Sequence, residues 1–233
     1  MTQPQRLAPD VYRVPLGFLQ VYLWAHPDGL TVIDTGLPGS APAIVECIEA
    51  IGRQPAEVQE IVLTHCHVDH RGSAAELVRR TGATLVAHPA DAAVVRGEQA
   101  EPRPHLTDSE RPLLASILAQ QPSTPPEPIA VDREVRDGDT IEGGGRIVGV
   151  PGHTPGSIAL LIPALGVLFT GDTIAFADGG PVLGPFNIDR GLAIASVRKQ
   201  ARLIFEVACF GHGPPIVGAA DAVIRALADS LET

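Results

Sequence analysis

Basic residues and long apolar runs are both scarce in this sequence. The chain of 233 residues has 17 Lys and Arg against 27 Asp and Glu, a formal net charge of −10. Because an acidic chain without a basic cluster repels phosphate backbones and anionic lipids, we expect neither nucleic acid nor a membrane surface as a partner. No stretch reaches the roughly 18 apolar residues of a membrane-spanning helix, and the N-terminal residues lack an apolar signal segment. The sequence therefore predicts a cytoplasmic protein that acts on a small molecule.

Cysteine is also scarce, and this excludes a disulfide framework. Cys47, Cys66 and Cys209 are odd in number and far apart, which favours a reducing compartment. Side chains alternate along an extended segment, so Cys66 is expected to point away from the histidines on either side of it. Cys209 lies in an apolar run. We interpret both thiols as small buried hydrophobic groups rather than nucleophiles or metal ligands.

What the sequence has is a regular alternation of strand and helix patterns. Hydrophobic residues make up 45% of the chain, enough for a sizeable core. No linker divides it, so we predict one domain over residues 1–233 with sheets inside and helices outside. A proline-rich insertion at about 98–128, with a helix at 111–120, is either a lid or substrate wall or a solvated loop. Strands are predicted at 11–16, 18–25, 30–34, 61–64, 84–88, 147–150, 157–162, 167–170 and 207–210, and helices at 41–51, 72–81, 191–204 and 219–231.

The densest group of polar residues follows the predicted strand at 61–64. It contains His65, His67, Asp69 and His70 within six residues. In an extended segment His65 and His67 point the same way, and the turn into the next helix lets Asp69 and His70 face the same cavity. So many polar groups in one place are costly unless something binds them. The cluster therefore predicts a metal site.

Further ligands are expected from loops that follow other strands. His153 lies in a glycine-flanked turn, Asp172 follows an apolar strand, and His212 lies between two glycines. Functional side chains are often found in such loops, held by a rigid scaffold. Of the other histidines, we expect His26 to be solvated and His88 to be structural.

These motifs resemble those of the metallo-β-lactamase superfamily over nearly the whole chain. Residues 64–70 match the H-x-H-x-D-H motif, and Gly-His, Gly-Asp and Gly-His pairs follow in the family's order, while residues 32–36 resemble its early strand-end motif, with Asp34 near the metals. The resemblance implies an α+β fold, the four-layer αββα sandwich. It also implies one metal held by His65, His67 and His153, a second held by Asp69, His70 and His212, and Asp172 bridging them.

Imidazole and carboxylate ligands without thiolate suit zinc, and iron and manganese are tolerated. Two such ions can hold a bridging hydroxide and polarise a carbonyl group. Asp69 is then expected to orient that hydroxide and to pass a proton to the leaving group. The hydroxyls of Thr64 and Thr173 can hold ligands in place. We therefore predict a binuclear metal-dependent hydrolase that cleaves a small-molecule ester, thioester or lactone. Its two divalent ions are expected to be zinc by ligand type.

Several alternatives within the superfamily differ from this sequence. Glyoxalase II-like thioesterases carry a helical extension after the last histidine, whereas 21 residues follow His212 in the 233-residue chain, which disfavours glutathione thioesters. Some lactonases place a tyrosine downstream, whereas Tyr12 and Tyr22 both lie upstream. Typical β-lactamases lack a counterpart of His70 or Asp172. A mononuclear iron enzyme similar to sulfur dioxygenases, a β-lactamase-like amide hydrolase and a non-catalytic metal-binding protein remain as alternatives.

Overall fold

The computed structural model describes residues 3–120 and 124–232. Its larger sheet has seven strands, paired in chain order. The pairs from β1 to β4 are antiparallel and those from β4 to β7 are parallel. The strands are β1 (Gln5–Ala8), β2 (Val11–Leu16), β3 (Leu19–His26), β4 (Gly29–Ile33), β5 (Val58–Val62), β6 (Thr84–Ala87) and β7 (Arg133–Glu134).

A second sheet of five strands faces the first. Its spatial order is β14-β13-β10-β9-β8, and a separate hairpin joins β11 to β12. The strands are β8 (Arg146–Gly149), β9 (Ile158–Ile162), β10 (Val167–Phe169), β11 (Ile174–Ala177), β12 (Gly180–Leu183), β13 (Val207–Cys209) and β14 (Ile216–Val217).

Seven α-helices are found in the described residues. The helix after β4 begins just after Ser40, with proline in its first turn, and buries Ile44 and Ile48 on one face. The helix that precedes β6 ends at Gly82, whose positive φ of 75° suits glycine. The helices are α1 (Ala41–Ala50), α2 (Val68–Arg71), α3 (Ala74–Thr81), α4 (Pro89–Val95), α5 (Glu110–Gln120), α6 (Arg190–Gln200) and α7 (Ala220–Ser230).

Three apolar layers hold four structural layers together. Helices α1 and α3 bury Ile48 and Leu77 against one face of the larger sheet. Between the two sheets lies a second layer that includes Trp24 and Phe169. On the outer face of the smaller sheet, a third layer contains Ile224 from α7 together with residues of α6. This αββα sandwich confirms the fold class that the sequence motifs imply.

The strand and helix predictions agree with the structure to within a few residues, but some elements and one histidine were predicted wrongly. The sequence patterns did not indicate α2, α4, the β11–β12 hairpin or the short strands β1, β7 and β14. The embedded helix of the proline-rich segment is α5, and residues 121–123 of that segment lie outside the described residues. His26 is buried, 6% exposed, with Nε2 3.2 Å from Thr31 Oγ1, so the expectation that it is solvated is wrong. None of the helices described is long and apolar enough to cross a membrane.

The loops that contain Asp34 and the predicted metal ligands all lie at one end of the sandwich. Asp34 follows β4, and the segment 64–70 follows β5 in the larger sheet. In the smaller sheet His153 follows β8, Asp172 follows β10 and His212 follows β13. The two sheets therefore bring loops from distant parts of the chain to one place.

Candidate metal centre

Seven polar side chains meet at this end of the sandwich and form two adjacent groups. They are the seven residues that the sequence motifs single out. Within each group the nitrogen and oxygen atoms that can bind a metal lie within 4.8 Å of one another. The first group comprises His65, His67 and His153, and the second comprises Asp69, His70, Asp172 and His212.

The first group consists of three imidazoles whose nitrogens converge. His67 Nδ1 lies 3.1 Å from His65 Nε2 and 3.0 Å from His153 Nε2. His67 is the extended residue directly before α2, so the alternation of side chains holds through this segment. Ligands at 2.0–2.1 Å from a tetrahedral zinc ion are about 3.3 Å apart, which is close to the observed spacing.

In the second group, the short helix α2 turns the chain so that Asp69 and His70 face the same space. His70 Nε2 lies 3.8 Å from Asp69 Oδ2 and 3.3 Å from Asp172 Oδ1. His212 Nε2 lies 3.3 Å from Asp69 Oδ2 and 3.0 Å from Asp172 Oδ2. Two carboxylates therefore alternate with two imidazoles around one centre.

Asp172 lies between the two groups of donor atoms. Its Oδ2 atom is 3.7 Å from His153 Nε2 and 4.0 Å from His65 Nε2, while the same atom contacts His212 of the second group. This is the position that a ligand shared by two ions requires.

The histidines of the first group are held in the neutral form. Burial lowers the pKa of His65, His67 and His153, and it is the largest cause for each of them. The pKa of His153 falls to about 3, with the neighbouring His67 as the second cause. Each of these imidazoles can therefore offer a lone pair at neutral pH without first losing a proton.

The histidines of the second group have raised pKa values, in contrast to those of the first group. Burial alone would lower the pKa of His212, but the charges of Asp172 and Asp69 raise it to about 10. Burial also opposes protonation of His70, yet Asp172 and Asp34 raise its pKa well above the usual value. In return, burial would raise the pKa of Asp69, and the charges of His70 and His212 lower it to about 2. Without a metal, these carboxylates attract protons onto the two imidazoles.

The donor atoms fit divalent cations. His70 Nε2 and Asp172 Oδ1 are both buried, and among the described residues neither forms a hydrogen bond of acceptable geometry. Unsatisfied buried polar atoms are costly, and a cation coordinated by both would satisfy them. Imidazole and carboxylate donors without thiolate are the set expected for zinc, with iron and manganese as further candidates.

Asp34 holds the second group in place. Its Oδ2 lies 2.8 Å from His70 Nδ1, and its Oδ1 accepts a hydrogen bond of 2.8 Å from the backbone N–H of Thr64. The hydroxyl of Thr64 also reaches Asp34 and lies 3.1 Å from Nδ1 of His65. Thr173 has no such role, because its hydroxyl donates to the carbonyl of Val150 instead.

Asp91 is a buried residue of the site that the sequence patterns did not indicate. Its carboxylate accepts hydrogen bonds from Cys66 N at 2.9 Å, Thr154 Oγ1 at 2.7 Å and Gly156 N at 2.8 Å. It therefore ties the loop of His65 and His67 to the loop of His153. The only local signal is an acidic residue in the first turn of a helix that begins with proline, which predicts a helix start rather than this contact.

Glycine is required directly before His212. A Cβ atom at Gly211 would overlap Asp172 Oδ1 and lie 2.7 Å from His70 Cε1. The backbone must therefore approach the second group more closely than any other residue allows.

The cysteines next to the ligands are inert. Cys66 and Cys209 are buried, and burial raises the pKa of each thiol far above its usual value. A thiol that stays protonated is a poor nucleophile and a poor ligand. This agrees with the interpretation of both cysteines as small hydrophobic residues.

A cavity of about 490 Å³ opens from the two groups of ligands. Its inner end is formed by residues of both groups. Its outer walls are largely apolar and come from the loop before β3, from the segment 101–118 and from residues 175–186. A small molecule in this cavity would have one end at the donor atoms and the rest against apolar side chains.

Comparisons with known proteins agree with this architecture. The probable metallo-hydrolase YflN of Bacillus subtilis (strain 168) is 27% identical over 219 residues, which cover 85% of this chain and 80% of YflN. A hydroxyacylglutathione hydrolase of Methylobacillus flagellatus is 30% identical over 190 residues, 81% of this chain but 60% of that enzyme. Among solved structures, the Rm3 metallo-beta-lactamase has a TM-score of 0.72 at 25% identity and covers 97% of this chain and 92% of its own. A family model described as the metallo-beta-lactamase superfamily matches residues 15–212, and the chain belongs to that superfamily.

Proposed function

We propose that this metal-dependent hydrolase is a binuclear zinc enzyme that cleaves a small-molecule ester, thioester or lactone. The observation that carries the proposal is the pair of adjacent donor groups with Asp172 between them, at the inner end of a mostly apolar cavity. A single ion would leave the donors of one group without a partner.

In this proposal His65, His67 and His153 hold one ion, Asp69, His70 and His212 hold the other, and Asp172 contacts both. Such a pair of ions, when bound, supplies Lewis-acid polarisation of a carbonyl group and a lowered pKa for a coordinated water molecule.

Asp69 is the side chain best suited to move the proton. Its carboxylate is ionised at neutral pH, since its pKa is lowered to about 2, and it lines the cavity. An ionised carboxylate at that place can accept a proton from the attacking water and deliver it to the leaving group. Asp34 and Asp91 contact ligands or their loops rather than the cavity, so their role is to fix the ligands in position.

The names of related proteins support the class of bond that we propose is cleaved. Several relatives are named hydroxyacylglutathione hydrolase, which supports thioester cleavage, although this chain spans only 52–60% of their length. The similarity to the Rm3 metallo-beta-lactamase favours a β-lactam amide as the second candidate. A mononuclear iron enzyme of the sulfur dioxygenase kind is less favoured, because an ion held by the first group and Asp172 leaves Asp69, His70 and His212 without a metal to bind.

The test combines metal analysis with a panel of substrates. We expect about two zinc equivalents per chain, and metal-dependent hydrolysis of thioesters, esters or lactones in preference to β-lactams. One equivalent of iron together with oxygen uptake would instead indicate a dioxygenase. Fully metallated protein without any turnover would contradict the proposal.

His67→Ala tests the first group directly. Removing this nitrogen takes one of three ligands away from the ion, so we expect turnover to fall by more than about 100-fold, with loss of bound metal. His88→Ala is the matched control, because Nδ1 of His88 only accepts a hydrogen bond from Ala90 N at the start of α4. Full activity of His67→Ala would contradict the assignment.

We also propose that the chain forms one domain over residues 1–233 and works in the cytoplasm on a small molecule. The three apolar layers include residues from β1 to α7, which supports a single domain. None of Cys47, Cys66 and Cys209, all within the described residues, forms a disulfide, which is compatible with a reducing compartment.

A further inference from the structure

Helix α5 presents an apolar face to the cavity rather than to the core. Leu113, Leu114, Ile117 and Leu118 are spaced so that they share one side of the helix, and all four line the cavity. Leu113 and Leu118 are 47% and 56% exposed. An 11-residue helix is marginal by itself and gains its stability from packing of such a face. The structure therefore leaves an apolar surface that an apolar molecule in the cavity would cover.

The opposite wall of the cavity is apolar too. The β11–β12 hairpin contributes Phe176 and Leu183, and the following loop contributes Phe186. On a third side Phe18 is 51% exposed, and its ring is stacked on that of His212 at a centroid distance of 5.9 Å. An extended molecule between these walls would contact hydrocarbon or aromatic surface on these three sides.

The part of the cavity between α5 and the β11–β12 hairpin is called the chamber below. Hydrogen bonds fix its walls relative to the candidate metal ligands. Glu110, the first residue of α5, accepts a hydrogen bond of 3.1 Å from the backbone N–H of Phe186. The carbonyl of Pro185 lies 3.0 Å from Nδ1 of His153. Phe186 has a positive φ of 64°, a conformation that non-glycine residues adopt only when the surroundings enforce it. The helix α5 is therefore connected to the candidate ligand His153 through the segment 185–186.

The chamber has few charged groups beyond the ligands. Glu101 lines it but is paired with Arg71 at 3.3 Å. Arg103 is the one Arg or Lys among the described residues that line the cavity. Apart from this one cation, a charged acyl group would lose its hydration in the chamber without gaining a partner.

We propose that the chamber between α5 and the β11–β12 hairpin binds the apolar acyl chain of the substrate, with its carbonyl group at the donor atoms. The inference rests on the proposed function and narrows it to esters, thioesters or lactones of medium-chain acids. A cavity of about 490 Å³ falls in the range typical of small-molecule sites. Each methylene removed from water in the transition state raises kcat/KM about fourfold, until the chamber is full.

The experiment compares acetyl, butyryl and octanoyl thioesters of one small neutral thiol with the metal-loaded enzyme, and repeats the series with oxygen esters of one alcohol. We expect kcat/KM to rise by at least about 100-fold from acetyl to octanoyl in whichever series is cleaved. Equal values for the three chain lengths, or a preference for acetyl, would overturn the inference while leaving the hydrolase intact.

A binding measurement decides the inference even if no series is cleaved. In titration calorimetry octanoate and acetate present the same carboxylate to the metals, so a difference in affinity reports the hydrocarbon chain. We expect octanoate to bind at least about tenfold more tightly. Equal affinities would contradict an acyl-chain chamber, whereas absence of hydrolysis would contradict only the proposed function.

The variant Ile117→Asn tests whether the preference for a long acyl chain depends on contact with α5. Placing an amide on the apolar face of α5 should lower the ratio of octanoyl to acetyl kcat/KM by about tenfold. Leu192→Asn is the matched control, because Leu192 is an exposed residue of α6 that does not line the cavity. A ratio that Ile117→Asn leaves unchanged would place the acyl chain elsewhere.

Discussion

Asp69 illustrates how two functions can depend on one residue, and substitution can separate them. Asp69→Asn keeps an oxygen ligand at the second group but removes the basic carboxylate. We expect turnover to fall by about 10²- to 10⁴-fold, the usual range for a lost general acid or base, while the ion held by His65, His67 and His153 is retained. Turnover and metal content are measured on the same preparation. Unchanged turnover would show that another group moves the proton.

The opposite pKa shifts of the two groups predict different pH dependences of metal binding. His153, with a pKa of about 3, is already neutral at pH 6 and so loses no proton when the first ion binds. His212, with a pKa of about 10, must lose its proton, and this competition weakens as the pH rises toward that value. We therefore expect the apparent affinity for the second ion to rise between pH 6 and pH 9, with a smaller change for the first.

Stepwise titration of metal-free protein at several pH values measures both affinities. If the two affinities changed in parallel with pH, this electrostatic account of the site would be wrong. The variant His212→Gln provides a control, because it removes one of the two imidazoles with a raised pKa and should weaken the pH dependence of the second affinity, while His70 still titrates.

Asp91 should matter for both stability and metal binding. Asp91→Asn replaces one of the two acceptor oxygens by an N–H donor. This donor then faces either the N–H of Gly156, which donates to Oδ1, or that of Cys66, which donates to Oδ2, so buried donors are left unpaired. We expect a loss of about 1–3 kcal/mol in the free energy of unfolding and weaker binding of the first ion. Denaturant unfolding and metal titration measure the two effects. Asp229→Asn, at an exposed position of α7, should change the stability by less than about 0.5 kcal/mol.

The residues that sequence alone could identify are those with a local signature. Four of the seven donors fall within residues 65–70, and the other three follow strand ends beside glycines, so short motifs were enough. Asp91 was missed because its partners are 25 to 65 positions away in the sequence. His26 was predicted wrongly because its buried position comes from Trp24 and Thr31 rather than from the turn that follows it.

Among the elements, α5 and the loop around Phe186 should act as one wall. Glu110→Ala removes the acceptor for Phe186 N and frees this loop from the helix. We expect KM for an octanoyl substrate to rise about tenfold, the usual effect of losing a hydrogen bond to a charged group, with a smaller change in kcat and no change in metal content. Steady-state kinetics and metal analysis test this. Glu98→Ala, which removes an exposed ion pair with Arg96, is the control.

Elements whose apolar residues recur at a regular spacing can be predicted from the sequence, whereas short or glycine-rich elements cannot. The apolar residues of α1 and α7 recur at helical spacing, and buried strands such as β9 form continuous apolar runs. Helix α2 has four residues, too few to show a period. The hairpin β11–β12 contains glycine and proline and is only partly buried, so its residues do not show the alternation typical of a strand.

At the scale of the whole molecule, the candidate metal centre joins the two halves of the sandwich. The larger sheet supplies the four donors between residues 65 and 70, and the smaller sheet supplies His153, Asp172 and His212. Ions bound at both groups would therefore act as links between the two sheets.

Removal of the metals should lower the thermal stability of the whole chain. A ligand present at 100 times its Kd stabilises the folded state by about 2.7 kcal/mol, which for a chain of this size corresponds to about 5–10 °C in Tm. Calorimetry with and without a chelator measures the shift, and added zinc should reverse it. In His67→Ala the shift should be smaller, because this variant already lacks a ligand of the first group. An identical Tm in metal-loaded and metal-free protein would mean that the donor atoms do not link the two sheets through bound ions.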